Sequence, residues 1–401
     1  MKQTADKNQT SKQSSIYLNQ TALIFGAGKT GRGFAAHLAF LGGYDVVLID
    51  KNEQLISDLK KQRQYYIEVF GNKEKSGTIE FSNAYDIKDA LWHEELVKTS
   101  IAFTAVFGNN LEELSEDMAV ALNKRYMENP DQVLTIITCE NWTNAAHFLK
   151  DCIVKNISHQ KEEWLLKRVG FSEGIIFKTC LNAGVDQSPL TIRAQDFFNL
   201  PCDAEGIKEP LNVYGLKPLK NFRNQLKRKI YTYNCINAVI TYLGARKRYT
   251  QLYDAGNDNE ILQIARKGAN ETSRALVTEF GFDPKEQEEW VNGAFAKFSD
   301  RNIPDPIERN GADPVRKLSR EDRLIGPALL ALKHGIYPEG LLEGIIASFD
   351  YFDQDKNFKI AHFIKEKGID SVLENVCGLL RHEELFKLIK GKYASHTTHV
   401  N

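Results

Sequence analysis

The chain lacks several features that would place it in a specialised class of protein. Its 401 residues include six cysteines, and none of them forms a Cys-x-x-Cys pair or a spacing typical of zinc ligands. No stretch approaches the roughly 18 apolar residues of a membrane span, and the polar start MKQTADKNQTSKQSS lacks the apolar core of a signal peptide. We therefore expect no metal site and no membrane anchor, but a cytoplasmic protein with reduced, buried cysteines.

The chain also lacks an excess of charge of either sign. The 52 Lys and Arg residues nearly balance the 53 Asp and Glu residues, which leaves a formal net charge of -1. No overall basic excess is available to attract nucleic acid or an anionic membrane. With 42% hydrophobic and 26% charged residues, the composition is that of a soluble globular protein. We expect a small molecule as its partner, with the oligomeric state open between a monomer and a small homo-oligomer.

The hydrophobic pattern changes near the middle of the chain. In the first half, apolar runs typical of buried parallel strands alternate with helix-like stretches, from Thr21 to Asp50 and again around 100–108 and 133–139. Beyond Pro218, long segments with a period near 3.6 residues predict helices. Short apolar runs between 171 and 213 fit either extra strands of the first sheet or a bridging segment.

These changes predict two domains, since a single core stops growing at about 250–300 residues. We expect a disordered tail at 1–16, an α/β domain with a doubly wound sheet at 17–214, and a mostly α-helical domain at 215–401.

A glycine-rich turn follows the first apolar run. In GAGKTGRG the glycines fall at 26, 28, 31 and 33, so a Gly-x-Gly-x-x-Gly motif lies between a strand-like and a helix-like segment. Gly26 permits the tight turn, Gly28 lets the backbone approach a diphosphate, and Gly31 lets helix and strand pack closely. The motif predicts a dinucleotide site that includes Gly33 and, as a further diphosphate contact, Arg32. A glycine turn with a purely structural role is the alternative.

An acidic residue follows at the spacing that such a site requires. The second apolar run, VVLID, ends at Asp50, 19 residues after Gly31. This is close to the ~20 residues at which a carboxylate accepts hydrogen bonds from the adenine ribose. A carboxylate there repels a 2′-phosphate, so the sequence predicts NAD rather than NADP as the cofactor. The alternative is that Asp50 merely caps the next helix.

One lysine and two asparagines interrupt a helix-like segment, KIYTYNCIN, in the second half. On a regular helix at about 100° per residue, Lys229, Asn234 and Asn237 fall within an arc of about 140°, and Gly244 is placed to end that helix. A lysine accepts a proton only when neutral, which requires burial to lower its pKa, and an amide can bind the same oxygen. The three residues can therefore serve an alcohol oxidation or form an ordinary exposed face.

Several segments together resemble the polyol-specific long-chain dehydrogenase family. They occur in the family's order between about Ala22 and Phe352: FGAGKTGRGF, CENW, SPLTI, RKIYTYN, ITYLG, FGFD, RKLSREDRLIGP and LLEGI. The resemblance implies a Rossmann domain with extra strands, a mostly helical second domain, and an active site between them. It further implies NAD-dependent interconversion of a sugar alcohol and its ketose by hydride transfer, without a metal ion.

The family's catalytic pattern, Lys-x-x-x-x-Asn-x-x-His, falls on the segment that begins with Lys229. By resemblance Lys229 is the general base, while Asn234 and a further asparagine, Asn141 of CENW, hold the reacting oxygen. The family histidine is replaced by Asn237, which forms hydrogen bonds but cannot carry a proton at physiological pH. This departure points to a divergent substrate or weakened activity, and it leaves open a non-catalytic protein that binds NAD(H).

A basic cluster offers positive charge for an anionic substrate. In VRKLSREDRL four basic residues lie close together, Arg316, Lys317, Arg320 and Arg323. RKLS followed by DRL resembles the family members that act on sugar phosphates, so we expect Arg316, Lys317 and Arg323 to include the phosphate ligands. The implied substrate pair is mannitol 1-phosphate and fructose 6-phosphate. The alternatives are a structural ion-pair network, a hexuronate (tagaturonate or fructuronate) reductase and a dehydrogenase of unphosphorylated polyols.

Overall fold

The structure, a computed structural model, describes residues 20–140, 142–353 and 358–398. The described residues form two compact units, one that ends at Phe222 and one that begins at Arg223. The tail expected at 1–16 lies outside the described residues, and the domain boundary expected between 214 and 215 stays a prediction.

The first unit contains short strands and helices in alternation. Its described strands are β1 Thr21–Phe25, β2 Asp45–Asp50, β3 Gln64–Val69, β4 Gly77–Glu80, β5 Asn83–Asp86, β6 Ile101–Thr104, β7 Leu134–Thr138, β8 Val169–Glu173, β9 Cys180–Asn182, β10 Ile192–Ala194, β11 Leu200–Asp203 and β12 Leu216–Leu219. Its described α-helices are α1 His37–Leu41, α2 Glu53–Gln62, α3 Leu91–Lys98, α4 Leu111–Glu128, α5 Ala145–Asn156 and α6 His159–Arg168. Short 3₁₀ turns occupy Lys73–Lys75, Gly108–Asn110 and Ala204–Gly206.

Six of these strands form one parallel sheet in the order β5-β2-β1-β6-β7-β8. This is the order of a doubly wound Rossmann sheet, in which the winding reverses between β1 and β6. Ligands of such sheets bind at the carboxyl ends of the strands beside that reversal. Strand β1 is buried on both faces, with Leu23 and Phe25 in one core and Ala22 and Ile24 in the other, which explains its continuous apolar sequence.

Four other strands form a second sheet in the order β4-β3-β10-β9. The region 171–213 therefore meets neither expectation completely. Strand β8 extends the main sheet, β9 and β10 join the second sheet, and β11 pairs with β12. Short apolar runs do not reveal which sheet a strand joins, because β10 pairs with β3, far away in sequence.

The second unit is mainly helical, and its described strands are the hairpin of β13 Phe352–Asp353 with β14 Phe358–Lys359. Its described helices, the first of which begins at the unit boundary, are α7 Phe222–Lys229, α8 Cys235–Arg246, α9 Leu252–Ala255, α10 Asn259–Phe280, α11 Pro284–Ser299, α12 Ile307–Gly311, α13 Pro314–Lys317, α14 Ile325–Lys333, α15 Glu339–Asp350, α16 Ile360–Lys367, α17 Ile369–Asn375 and α18 Glu384–Thr398. None of the described helices is both long and apolar enough to cross a membrane.

Helix α8 lies at the centre of the second unit. Nine of its 12 residues are buried, and it packs against α10, α12 and α15. A helix that is apolar on most sides is buried in this way because every face meets another element. A parallel-sheet unit followed by a helical unit confirms the predicted fold class, and α8 carries two of the predicted catalytic residues, Asn234 at its N-cap and Asn237 within it.

Candidate functional site

The glycine-rich turn after β1 has a geometry that fits a bound diphosphate. Gly26 has a φ of 92°, a left-handed conformation that glycine adopts without strain, and its N–H donates to the carbonyl oxygen of Ile49 at 2.7 Å. A Cβ on Gly31 would overlap the carbonyl oxygen of Gly26, whereas a Cβ on Gly28 would meet no atom within 4 Å. The turn itself requires Gly26 and Gly31, and Gly28 borders open space that a ligand can enter.

The helix that follows begins with a π-helical segment, Gly31–Ala36. A Cβ on Gly33 would crowd the side chains of Ile192 and Cys180. Both of these residues belong to the second sheet, so Gly33 permits that sheet to pack closely on the helical segment Gly31–Ala36. This contact gives Gly33 a packing role, and its predicted place in the cofactor site stays a prediction.

The side chain of Arg32 points into the interior of the first unit. Its Nε donates to the carbonyl oxygen of Ala27 at 2.7 Å and its Nη1 donates to the carbonyl oxygen of Leu190. Burial lowers the pKa of this guanidinium, while Tyr65 and Asp50 act in the opposite direction. Nε thus holds the glycine turn and one N–H of Nη1 holds Leu190, so the diphosphate contact predicted for Arg32 would have to come from the remaining N–H groups of Nη1 and Nη2.

A pocket of ≈ 300 Å³ opens beside the glycine turn, and Asp50 lies at its edge. The pocket is also lined by Gly26, Gly28, Val106 and Phe107. Asp50 ends β2 and accepts a hydrogen bond from the N–H of Asn52 at 2.9 Å, whereas the side chain of Asn52 is the cap of α2. Asp50 is therefore not the helix cap, and its carboxylate borders a cavity that fits the adenosine half of a dinucleotide.

Asn141, the predicted oxygen-binding residue of CENW, lies outside the described residues. Its neighbour Glu140 is buried, and Oε1 of Glu140 accepts hydrogen bonds from the N–H of Val106 at 2.9 Å and the hydroxyl of Thr104 at 3.2 Å. Burial raises the pKa of Glu140, although these donors act in the opposite direction. Glu140 therefore ties the end of β7 to the end of β6, the edge at which a Rossmann sheet binds ligands.

Lys229 ends α7 and is followed by a π-helical turn, Ile230–Asn234. The N–H of Cys235 donates to the carbonyl oxygen of Ile230, five residues earlier, so the regular α-helix expected here is wrong. A turn closed by a bond between residues i and i+5 contains more residues than an α-helical turn. Asn234, five residues after Lys229, therefore lies closer to the face of Lys229 than the predicted arc allowed.

Helix α8 continues through Gly244 to Arg246, so the helix end predicted at Gly244 is also wrong. A Cβ on Gly244 would crowd the side chains of Ala255 and Ile307. This glycine therefore permits α9 and α12 to approach α8 closely, which is a role that a helix-ending pattern does not reveal.

The surroundings of Lys229 are apolar enough and positive enough to favour its neutral form. The residue is only 6% exposed. Burial lowers its pKa to about 7, and the positive charges of Arg323, Lys297 and Arg316 lower it as well, while Asp322 opposes them. A lysine with a pKa near 7 is present in both protonation states at physiological pH, which is the condition for a general base or acid.

Arg316 and Arg323 of the basic cluster lie near Lys229 and share one carboxylate. Arg323 Nε is 2.7 Å from Asp322 Oδ1, and Arg316 contacts Asp322 at 3.1 Å and Asp313 at 3.0 Å. Arg323 is buried, whereas 44% of the Arg316 side chain is exposed. Of these two arginines, Arg316 offers its charge to solvent, and Arg323 is committed to a buried ion pair.

Lys317 and Arg320 are engaged inside the second unit. Lys317 is 5% exposed, donates from Nζ to the backbone carbonyl oxygen of Asn310, and has its pKa lowered by burial. Arg320 contacts the two carboxylate oxygens of Glu383 at 2.9 and 2.6 Å. The phosphate role predicted for Lys317 stays a prediction, and the described contacts of both residues fit the structural alternative.

Asn237 meets a residue for which the sequence gives no signal. Its Nδ2 donates to Oδ1 of Asn310, on α12, at 3.0 Å. Asn234 lies three residues earlier, and residues three apart on a helix share a face. The second unit thus brings Lys229, Asn234 and Asn237 to one side of α7 and α8.

Lys297 and Asn310 could not be found from the sequence, because neither belongs to a recognisable motif and both are distant in sequence from Lys229.

Lys178 of the first unit could not be found from the sequence either. This lysine is buried, burial lowers its pKa to about 8, and its Nζ has no hydrogen-bond partner among the described residues. Within residues 20–140, 142–353 and 358–398, no three His, Cys, Asp or Glu residues are grouped to hold a metal ion.

The fold and the glycine turn define a two-unit dehydrogenase of the Rossmann type. Two family descriptions match the chain, "Mannitol dehydrogenase Rossmann domain" over residues 20–212 and "Mannitol dehydrogenase C-terminal domain" over residues 221–395. The chain belongs to the mannitol dehydrogenase family.

Proteins named mannitol-1-phosphate 5-dehydrogenase are similar along nearly the whole chain. The Bacillus subtilis protein is 31% identical over 378 residues, which cover 92% of this chain and 99% of that protein. The protein of Thermoanaerobacter pseudethanolicus is 28% identical over 376 residues, 93% of this chain and 97% of its own length.

Two solved structures share the fold. Mannitol 2-dehydrogenase of Pseudomonas fluorescens, in a ternary complex with NAD and D-mannitol, has a TM-score of 0.73 at 13% identity and covers 95% of this chain and 92% of its own. A D-sorbitol dehydrogenase in substrate-free form has a TM-score of 0.75 at 14% identity, with 93% and 94% covered. The predicted family is confirmed. The predicted enzyme class, NAD-dependent polyol dehydrogenase, is confirmed with it, because it is the class of that family.

Proposed function

We propose that this protein is an NAD-dependent dehydrogenase that interconverts a sugar alcohol and its ketose. The favoured substrates are mannitol 1-phosphate and fructose 6-phosphate. The observation that carries the proposal is Lys229, a buried lysine with a pKa of about 7 beside a π-helical turn. A residue that is buried, perturbed and followed by a local helix irregularity is typical of an active site.

In this proposal Lys229 exchanges the proton of the reacting hydroxyl. In its neutral form Lys229 accepts that proton during alcohol oxidation, and in its protonated form it returns the proton during ketose reduction. The amide of Asn234 and, by resemblance, that of Asn141 of CENW donate hydrogen bonds to the reacting oxygen and stabilise its developing charge. When bound, NAD supplies the acceptor for the hydride.

Support for the cofactor comes from the first unit. Gly26 and Gly31 form a turn that excludes side chains, Gly28 leaves room for a diphosphate, and Asp50 borders the adjacent pocket. A carboxylate at that position accepts hydrogen bonds from ribose hydroxyls and repels a 2′-phosphate, which favours NAD over NADP. Three residues, Gly28, Asp50 and Gly26, would hold the cofactor.

Support for an anionic substrate comes from the charges around Lys229. Arg323, Lys297 and Arg316 lower its pKa, whereas Asp322 acts in the opposite direction. An excess of fixed positive charge near the base favours a substrate that carries a phosphate. The relatives named mannitol-1-phosphate 5-dehydrogenase point to the same substrate class.

The test is NADH oxidation with fructose 6-phosphate, fructose, tagaturonate and fructuronate. The native protein is compared with Lys229→Met, whose unbranched side chain is one atom shorter and has no ionisable group. Lys227→Met is the matched control, since Lys227 is two residues away and pairs with Glu321 at the surface. We expect fructose 6-phosphate to be reduced, with a loss of at least about 100-fold in kcat for Lys229→Met and native rates for Lys227→Met.

Other outcomes move the assignment in defined directions. Preference for tagaturonate or fructuronate would make the protein a hexuronate reductase. Equal rates with fructose and fructose 6-phosphate would mean that the protein does not recognise a phosphate on its substrate. NADH binding without turnover of any of the four, with activity appearing in Asn237→His, would identify a non-catalytic NAD(H)-binding protein. That result would contradict the proposal.

A further inference from the structure

The side-chain amide of Asn237 is held in one orientation by a chain of hydrogen bonds that ends at a backbone carbonyl. Asn310 Nδ2 donates to the carbonyl oxygen of Pro306 at 3.0 Å, and Asn310 Oδ1 accepts from Asn237 Nδ2 at 3.0 Å. A backbone carbonyl of proline can only accept a hydrogen bond. Asn310 must therefore turn its NH₂ group towards Pro306 and its oxygen towards Asn237.

The same reasoning extends to Asn237. The oxygen of Asn310 needs a donor, and the only donor that an asparagine side chain carries is its NH₂ group. Asn237 must therefore direct Nδ2 at Asn310 and present its own carbonyl oxygen, Oδ1, on the opposite side. Residue 237 thus offers a hydrogen-bond acceptor of defined position, although it cannot exchange a proton.

Asn310 is itself fixed by contacts with several elements. Lys317 donates from Nζ to the backbone carbonyl oxygen of Asn310, and Lys317 is 5% exposed. On either side of Asn310 in sequence, the hydroxyl of Tyr351 donates to the carbonyl oxygen of Glu308 at 3.0 Å, and that of Tyr242 donates to the carbonyl oxygen of Gly311 at 3.0 Å. Helix α12 is therefore a rigid support rather than a free loop.

From these contacts we propose that Asn310 is a positioning residue for the substrate, acting through Asn237. It holds Oδ1 of Asn237 where that atom accepts a hydrogen bond from a hydroxyl of the bound sugar. Lys317 contributes by holding the backbone of Asn310, and not by binding phosphate. The proposal rests on the proposed function, because Asn237 meets a substrate hydroxyl only if the sugar binds beside Lys229 and Asn234.

Two substitutions of Asn310 separate positioning from a purely structural role. Asn310→Asp and Asn310→Leu both lose the side-chain bond to Pro306, because neither side chain retains an NH₂ group, and both keep the backbone bond from the N–H of residue 310. The carboxylate of Asn310→Asp still accepts a hydrogen bond from Asn237 Nδ2, whereas the side chain of Asn310→Leu accepts none. A role confined to stability would make the two variants fail alike, and a positioning role would spare Asn310→Asp.

The experiment measures KM and kcat for fructose 6-phosphate, the affinity for NADH, and the melting temperature of each variant. Binding of fructose 6-phosphate to protein saturated with NAD⁺ is measured by calorimetry, since this combination binds without turnover. Asn302→Ala is the matched control, an exposed residue of the same segment that bonds Asp300.

We expect Asn310→Leu to weaken fructose 6-phosphate binding and raise KM by about three- to tenfold, the effect of one neutral hydrogen bond. Asn310→Asp should stay within about twofold of the native protein, and NADH affinity should be unchanged in all variants. Asn302→Ala should behave as the native protein does.

Equal losses in Asn310→Asp and Asn310→Leu, or no loss in either, would overturn the role of Asn310 while leaving native turnover, and thus the proposed function, intact. A native protein that binds fructose 6-phosphate without turning it over would contradict the proposed function, and the calorimetric comparison would still decide the role of Asn310. Absence of both binding and turnover in the native protein would overturn both.

Discussion

Arg323 lies close enough to Lys229 that its positive charge lowers the pKa of this lysine, an effect second only to that of burial. The two residues are 94 positions apart in sequence, and Arg323 is itself buried against Asp322. The site therefore lowers the pKa of a lysine by surrounding it with protein and with other cations, an arrangement that costs stability and that function can explain.

This cost predicts that Lys229→Met stabilises the fold. The pKa of Lys229 is about 7 in the folded protein against 10.5 for an ordinary lysine, so the unfolded chain binds more protons than the folded one between these values. The penalty is complete below about pH 7 and disappears as the pH rises towards about 10.5. At pH 6, Lys229→Met should raise the free energy of unfolding by roughly 2–4 kcal/mol, and the gain should shrink at pH 9–10.

Urea unfolding at pH 6, 8 and 9.5 measures this difference, with Lys227→Met as the exposed control. A gain that is absent at pH 6, or one that does not change with pH, would mean that the surroundings of Lys229 do not lower its pKa.

Two glycines in one turn should respond differently to the same substitution. A Cβ on Gly31 would overlap the carbonyl oxygen of Gly26, so Gly31→Ala should lower the free energy of unfolding by about 3 kcal/mol. A Cβ on Gly28 would meet no atom within 4 Å, so Gly28→Ala should fold normally. It should nevertheless weaken NADH binding by at least about tenfold, because the methyl group occupies space needed by the diphosphate.

Melting temperature and NADH fluorescence titration on the two variants check this prediction. Native NADH affinity in Gly28→Ala would show that the diphosphate does not approach this turn.

Asp50 should determine the choice between NADH and NADPH. In Asp50→Asn the negative charge is lost at nearly constant size, so NADH binding should weaken by roughly tenfold as charge-assisted bonds to the ribose are lost. Binding of NADPH should improve relative to NADH, since the repulsion of a 2′-phosphate is removed. Asp58→Asn, in the helix that follows, is the control. An unchanged ratio of the two dissociation constants would exclude Asp50 from the ribose site.

Arg316 and Arg320 form a matched pair for the phosphate. Their side chains are similarly exposed, at 44% and 42%, and both are paired with carboxylates, Arg316 with Asp313 and Asp322 and Arg320 with Glu383. Of the two, Arg316 lowers the pKa of Lys229. Arg316→Gln should raise KM for fructose 6-phosphate by about tenfold or more, the effect of a lost charge-assisted hydrogen bond, with little change in the use of unphosphorylated fructose. Arg320→Gln should leave both unchanged. Equal effects of the two variants would mean that the basic cluster is a structural ion-pair network and not a phosphate site.

Much of the first unit could be predicted because its signals are local. Gly26, Gly28, Gly31 and Asp50 lie within one β-α-β segment, and each role follows from spacing along the chain. The pairing of β10 with β3 could not be predicted, because β3 lies more than 100 residues earlier in the chain.

The segment proposed to carry catalysis could be predicted only in part. The positions of Lys229 and Asn234 were recognisable as a motif, but the π-helical turn between them has no sequence signature and changes their relative placement. Asn310, Lys297 and Arg323 reach the same side of the second unit through tertiary packing. No spacing rule connects Asn310 with Asn237 at a separation of 73 residues.

The central claim is that Lys229 transfers the proton, and the most direct test is the pH dependence of kcat in both directions. With its pKa at about 7, the account predicts that polyol oxidation by the native protein rises as the pH increases through about 7, because neutral Lys229 accepts the proton. Ketose reduction should fall through the same pH, and both titrations should vanish in Lys229→Met. Rates that stay flat between about pH 6 and 9 in both directions, or that titrate equally in Lys229→Met, would contradict the account.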